Sequence, residues 1–138
     1  MNSLYQTFSA DPDLEKSGVW LDFGGPRIRI LRSGPTNQRF IRVLTEKQRP
    51  VAAQIRTGVI SEDQSRKILA EVFAESIITD WQGVTDKEGN VLEFSKENAV
   101  KVLCDLPDLF TIIQEHSSNM ANFRQGQIEE EEKNSNGV

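Results

Sequence analysis

The stretch Asp80-Trp81-Gln82-Gly83-Val84-Thr85-Asp86-Lys87-Glu88-Gly89-Asn90-Val91-Leu92-Glu93-Phe94-Ser95-Lys96-Glu97-Asn98-Ala99 decides how the rest of the chain folds. A helical apolar pattern ends at its front edge and another begins at its back edge, so it reads as helix, tight turn, helix. Asp86-Lys87-Glu88-Gly89 supplies the turn, with Gly89 where a positive φ is needed, and brings Val84 opposite Val91 in a small two-stranded ribbon. Trp81 and Phe94 are the apolar anchors of this corner; Gly83, Gly89 and Ser95 complete its structural set. Asp86, Glu88 and Asn90 alternate as cation ligands do. A calcium loop, however, needs a third acidic ligand and a bidentate glutamate at a fixed distance after an internal glycine, and Gly89 is misplaced for it.

Upstream, Ser61-Glu62-Asp63-Gln64 is a capping-box pattern. Ile68, Leu69, Val72, Phe73 and Ile77 then recur at helical spacing, which predicts a helix from Ser61 to Asp80 with Leu69, Val72, Phe73 and Ile77 as its core stripe. Before it, Thr36 or Asn37 caps a helix with Phe40, Val43 and Leu44 inward. Pro50 interrupts that helix, and a short piece around Val51, Ala52 and Ile55 stops at Thr57-Gly58. Earlier still, Val19-Trp20-Leu21-Asp22-Phe23 and Arg27-Ile28-Arg29-Ile30-Leu31 alternate about Gly24-Gly25-Pro26, a hairpin pattern. Val19, Leu21 and Phe23 share one face, as do Ile28 and Ile30, with Arg27 and Arg29 opposite. Such a hairpin is marginal alone and must lie against helices.

Downstream, Ser95 caps a helix whose buried stripe is Ala99, Val102, Leu103 and Leu106. Pro107 opens the next helix after a bend. There Leu109, Ile113, His116, Met120 and Phe123 step by four, three, four and three, a narrow seam of coiled-coil type. His116 on that seam reads as a core or interface histidine rather than a general base, since no partner is in view.

The expected fold is mainly α (α+β): a small helical domain with an N-terminal β-hairpin and a short two-stranded turn around residues 84–91. The expected organisation is a flexible arm over residues 1–18, one domain over 19–125, and an acidic, disordered tail over 126–138. With 138 residues, one core is what the length supports. The start lacks the basic and apolar regions of a signal peptide, and no apolar run approaches the roughly 20 residues of a membrane span, which predicts a cytoplasmic protein with no membrane contact. Cys104 is the only cysteine and His116 the only histidine. No internal disulfide can form, a zinc site is implausible, and no metal or cofactor is expected.

Charge is unevenly spread behind a net value of -5. Between Gly25 and Thr57 the residues Arg27, Arg29, Arg32, Arg39, Arg42, Lys47, Arg49 and Arg56 oppose Glu46 alone. A basic segment of this kind serves a partner protein, another copy's acidic face, or a nucleic acid. Nucleic acid is disfavoured because no aromatic residue except Phe40 interleaves with the arginines of the Arg27 to Arg56 segment and no reader motif is present. Nothing resembles an active site: no nucleophile with its base, no phosphate loop, no metal cluster. The tail, Glu129-Glu130-Glu131-Glu132-Lys133-Asn134-Ser135-Asn136-Gly137-Val138, cannot build a core. Glu132-Lys133-Asn134 can be written GAA AAA AAC, which contains a heptamer on which ribosomes slip back by one base. The nucleotides of the gene decide whether it is there.

Taken in order, the Arg-Ile-Arg-Ile hairpin, the basic helix, Asp80-Trp81-Gln82-Gly83-Val84-Thr85-Asp86, Gly89, Leu92-Glu93-Phe94-Ser95-Lys96-Glu97-Asn98-Ala99, Leu106-Pro107-Asp108-Leu109 and Asn122-Phe123-Arg124 resemble the tail assembly chaperones of long-tailed bacteriophages. The resemblance spans Val19 to Phe123 and is most specific in the Trp-x-Gly-Val-Thr-Asp and Phe-Ser-x-Glu-Asn-Ala pieces. It implies binding to the tape measure protein while tail tube subunits polymerise, a role in the host cytoplasm, absence from the mature virion, and in many such phages a longer form made by programmed frameshift. It supplies no catalytic residues. The surfaces expected to meet partners, or further copies of the chain, are the basic residues Arg27, Arg29, Arg39 and Arg42 and the seam Leu109, Ile113, Met120 and Phe123. The competing expectation is a structural component of the tail or neck, which would persist in purified particles.

Overall fold

The computed structural model describes residues 3–9 and 16–119. Ser3 Oγ accepts from the Gln6 amide at 3.1 Å while the Gln6 side chain accepts from the Ser3 amide at 2.9 Å. This reciprocal cap starts a short helix, α1 (Leu4–Phe8), inside what was expected to be a loosely held arm. Its apolar side chains Leu4 and Tyr5 are exposed.

The alternating stretch forms the hairpin β1 (Val19–Asp22) and β2 (Arg27–Ile30), with Val19 opposite Ile30 and Asp22 opposite Arg27. Asp22 Oδ1 accepts from the Gly24 amide at 2.9 Å, which holds the turn. Ile28 and Ile30 are buried under the helices, as the weakness of an isolated hairpin requires.

A third strand completes the sheet where the apolar spacing predicts helix. The expected helix from Ser61 to Asp80 ends at Ser76, and residues Ile78–Gln82 form β3, antiparallel to β2, in a sheet of order β1-β2-β3. Ile77, Ile78 and Thr79 are consecutive β-branched residues, stiff at χ1 and better suited to a pleated surface than to another helical turn. The free side of β2 offers their backbone a full ladder, and Leu31 N donates to Ile77 O at 2.8 Å where the ladder begins. Trp81 lies four residues after Ile77, a helical interval, yet its partner is Ile28 across the sheet.

Between hairpin and β3 run α2 (Gln38–Gln48), a 3-10 turn over Arg49–Val51 at Pro50, α3 (Ala52–Thr57) and α4 (Glu62–Ser76). Asn37 is the cap of α2, its Oδ1 accepting from Phe40 N at 3.0 Å, and Ser61 Oγ accepts from Gln64 N at 3.1 Å to start α4. After the turn come α5 (Lys96–Asp105), capped by Ser95, and α6 (Pro107–Ser118). Phe40, Phe73 and Phe110 meet edge to face at 6.0 and 5.3 Å, which ties α2, α4 and α6 into one core. Ile30, Ile77, Leu103 and Ile113 are fully enclosed around them. The architecture is the expected small α+β domain with its N-terminal hairpin, enlarged by one strand.

Three further details differ from expectation. The ribbon pairs Thr85, not Val84, with Val91. That slip of one residue turns Val84 into the core and leaves Val91 outside, because side chains alternate along a strand. On α5, Leu106 lies at the bend before Pro107 and is exposed rather than part of the stripe. On α6 the buried line is Phe110, Ile113 and Ser117, with Leu109 half-buried and His116 exposed. Phe110 seats against Phe73 and sets the inward face, and the small Ser117 lets the last turn approach Ser33, with the two hydroxyl oxygens 3.0 Å apart. Met120, Phe123 and the tail from residue 126 lie outside the described residues.

Candidate protein-interaction surface

The corner from Asp80 to Ala99 is built for rigidity. Trp81 Nε1 donates to Leu92 O at 2.8 Å, and the indole meets the Phe94 ring edge to face at 5.3 Å. The turn is held by Asp86 Oδ1, which accepts from Glu88 N at 3.0 Å and Asn90 N at 2.9 Å, with Gly89 between them at φ 85°. These bonds, that from Asn90 foremost, hold the Asp86 carboxyl below its ordinary value of 3.8, against an opposing push from desolvation. Gly83 passes close to the hairpin turn, where a Cβ would stand 3.3 Å from Gly25 O. Ser95 Oγ accepts from Asn98 N at 3.0 Å. All five residues expected to be structural lie in this one corner.

The hairpin brings two of the four named arginines together. Trp20 lies opposite Arg29, and the Arg27 and Arg29 Cζ atoms stand 4.7 and 5.4 Å from the centroid of its ring. Arg39 and Arg42 are elsewhere, exposed on α2, and Arg39 Nε donates to Glu75 O at 3.0 Å across to α4. Trp20 is the part of this surface that the residue-by-residue reading passes over. Strand alternation puts it on the arginine side, and a two-strand register from the Gly24-Gly25-Pro26 turn finds it.

A second surface lies along the outer side of α4. Leu44 of α2, Ile55 of α3, Ile60, and Ile68 and Leu69 of α4 line an open apolar groove of about 210 Å³. Ile55 is 41% and nearby Val59 72% exposed. Ile68 also lines a larger depression of about 660 Å³ whose rim carries Glu46, Lys47, Lys67, Glu71 and Glu75. Lys47 is 3.3 Å from Glu75 and 3.7 Å from Glu71, and Lys96 of α5 also pairs with Glu75, so the rim is braced from two helices. The signal for this groove is a set of apolar residues left over from the core stripes: Ile55, Ile60 and Ile68.

On α6, Ile113 gives all its surface to the chain's own core while Leu109 is partly open. Among the described residues no group of three or more His, Cys, Asp or Glu gathers as metal ligands do, and no helix is long and apolar enough to cross a membrane. Cys104 is half-buried, and burial pushes its thiol up, which keeps it protonated.

Residues 35–134, well over half of the chain, match the model of a family described as YdaY prophage protein. The matched region begins after the β1–β2 hairpin. No curated protein and no solved structure matches the chain.

Proposed function

We propose that this chain, which belongs to the YdaY prophage protein family and is phage-derived, is a tail assembly chaperone: it binds the tape measure protein and helps recruit tail tube subunits while the tail is built. The observation that carries this reading is the open apolar groove between α2, α3 and α4. A helix laid across it presents one apolar anchor to Leu44, Ile55, Ile60 and Ile68. A space of about 210 Å³ takes one large apolar side chain at a time, so a single copy binds weakly. Many copies along one long helical target gain by avidity. The charged rim from Glu46 to Glu75 then meets the polar flank of the bound helix. The partner is a protein, and the proposed work, in the host cytoplasm, involves no chemical step and no cofactor. A longer form made by frameshift at Glu132-Lys133-Asn134 belongs to the same reading.

Co-expression with the tape measure gene of the same prophage tests it. The tape measure protein should be soluble only when this chain is present, and Ile55→Glu, placed in an open wall of the groove, should abolish that while leaving the chain folded by circular dichroism. A tape measure protein that stays insoluble with the native chain overturns the reading. Purified particles should lack the chain; its presence there in stoichiometric amount would make it a structural component of the tail or neck.

A further inference from the structure

On the outer face of the sheet Arg27 and Arg29 make no direct ion pair among the described residues, although Asp22 and Asp80 stand opposite them in register. Arg27 Nη1 donates to Gln82 Oε1 at 3.4 Å and Arg29 Nε donates to Thr79 Oγ1 at 2.8 Å, both neutral acceptors. Asp80, opposite Arg29 in β3, instead accepts from the Trp81 amide at 2.8 Å, and Asp22 accepts from the turn amides. Among the described residues no carboxylate pairs with either arginine. Two guanidinium groups leaning over one indole repel each other, and the ring face of Trp20 together with the two neutral acceptors fixes them in place. The result is a pair of ordered cations with free donors, suited to two carboxylates.

We propose that this face docks the chain's own acidic run, Glu129–Glu132, which lies outside the described residues. The charges are complementary, and so is the spacing. Alternate residues of an extended run stand about 6.6 Å apart on one side, the same interval that separates Arg27 from Arg29 along β2. The connection is long enough. Ten Cα-to-Cα steps lead from Asn119 to Glu129, a reach of about 33 Å. The last turn of α6 is tied at Ser117 to Ser33, whose amide donates to Ser117 O at 3.0 Å. Ser33 is four residues past Arg29, about 13 Å in extended chain. Tethering raises the effective concentration of the glutamates to the millimolar range, so a contact too weak between separate molecules holds within one. This docking does not depend on the chaperone reading, because it uses the sheet and not the groove.

A nitroxide attached at Ser135→Cys in a Cys104→Ser background of the full chain, read by NMR, tests the contact. The Trp20 indole N–H signal should lose most of its intensity in dilute solution. It should recover when Glu129, Glu130, Glu131 and Glu132 are all changed to Gln, and also in the native acidic run when salt is raised, since screening weakens exposed ion pairs. The salt arm needs no further substitution and stands if a variant fails to fold. Undiminished Trp20 intensity in the labelled native run, or a loss that survives both the glutamine changes and salt, overturns the proposal. So does a loss seen only on an isotope-labelled chain mixed with a separate nitroxide-labelled one, which assigns the contact to a second copy.

Discussion

Trp81 carries two duties that a single substitution separates. In Trp81→Phe the ring contact with Phe94 can persist, but the Leu92 carbonyl loses the indole N–H that now reaches it at 2.8 Å. A part-buried acceptor left unpaired costs about 1 kcal/mol, the low end of the range for buried groups, so the midpoint of urea unfolding should fall accordingly. Asp86 gives a prediction with a sign. Its carboxyl is lowered in the fold by the Asn90 and Glu88 amides, so the stability it contributes is present in full above the ordinary value of 3.8 and is lost as pH falls through the lowered one. The amide resonances of Glu88 and Asn90 should therefore move together, below the ordinary carboxylate range, in an acid titration. The glycine-centred turn is legible in the sequence because Asp86 and Gly89 have local work to do. The slip that pairs Thr85 with Val91 is not, since it is decided by which valine the core accepts.

At the level of elements, helices with caps are read well from sequence and strands that borrow a helical interval are not. Ser61, Ser95 and Pro107 mark starts because each satisfies or removes orphan amides within its own turn. The end of α4 has no such mark. Ile77 and Trp81 keep the four-residue step, and only the vacancy beside β2 makes Ile78–Gln82 a strand. The same limit hid the two proposed interaction surfaces: Trp20 joins Arg27 and Arg29 only once the hairpin register is known, and the groove exists only where three helices meet. Where β1 begins, Gly18 has φ 88° and a Cβ there would lie 2.5 Å from Ile30 O. Gly18→Ala should cost more than the about 1–2 kcal/mol of left-handed backbone alone, because a backbone oxygen must also move. Thermal unfolding of this variant beside Gly58→Ala, where the same backbone hand meets open space, isolates the steric part.

For the whole molecule, the central strand sets the order of events. Arg27 faces Asp22 on one side and, on the other, Gln82, fifty-five residues later in the chain. Closing the long loop costs about 2 kcal/mol more than closing the hairpin, from the logarithmic growth of loop entropy. During synthesis, β1 and β2 emerge well before β3 exists, and as a two-stranded ribbon they are too weak to persist. The sheet is therefore completed in one step, when the end of α4 delivers Ile78–Gln82, and not strand by strand from the N-terminus. Native-state hydrogen exchange should show it: the amides of β1, β2 and β3 should open with one shared free energy, and a hairpin exchanging later than β3 would contradict it. Until Gln82 has left the ribosome, the nascent chain carries the apolar residues of β1 and β2 with no sheet to bury them, so a protein proposed to guard another from aggregation passes through its own exposed interval first.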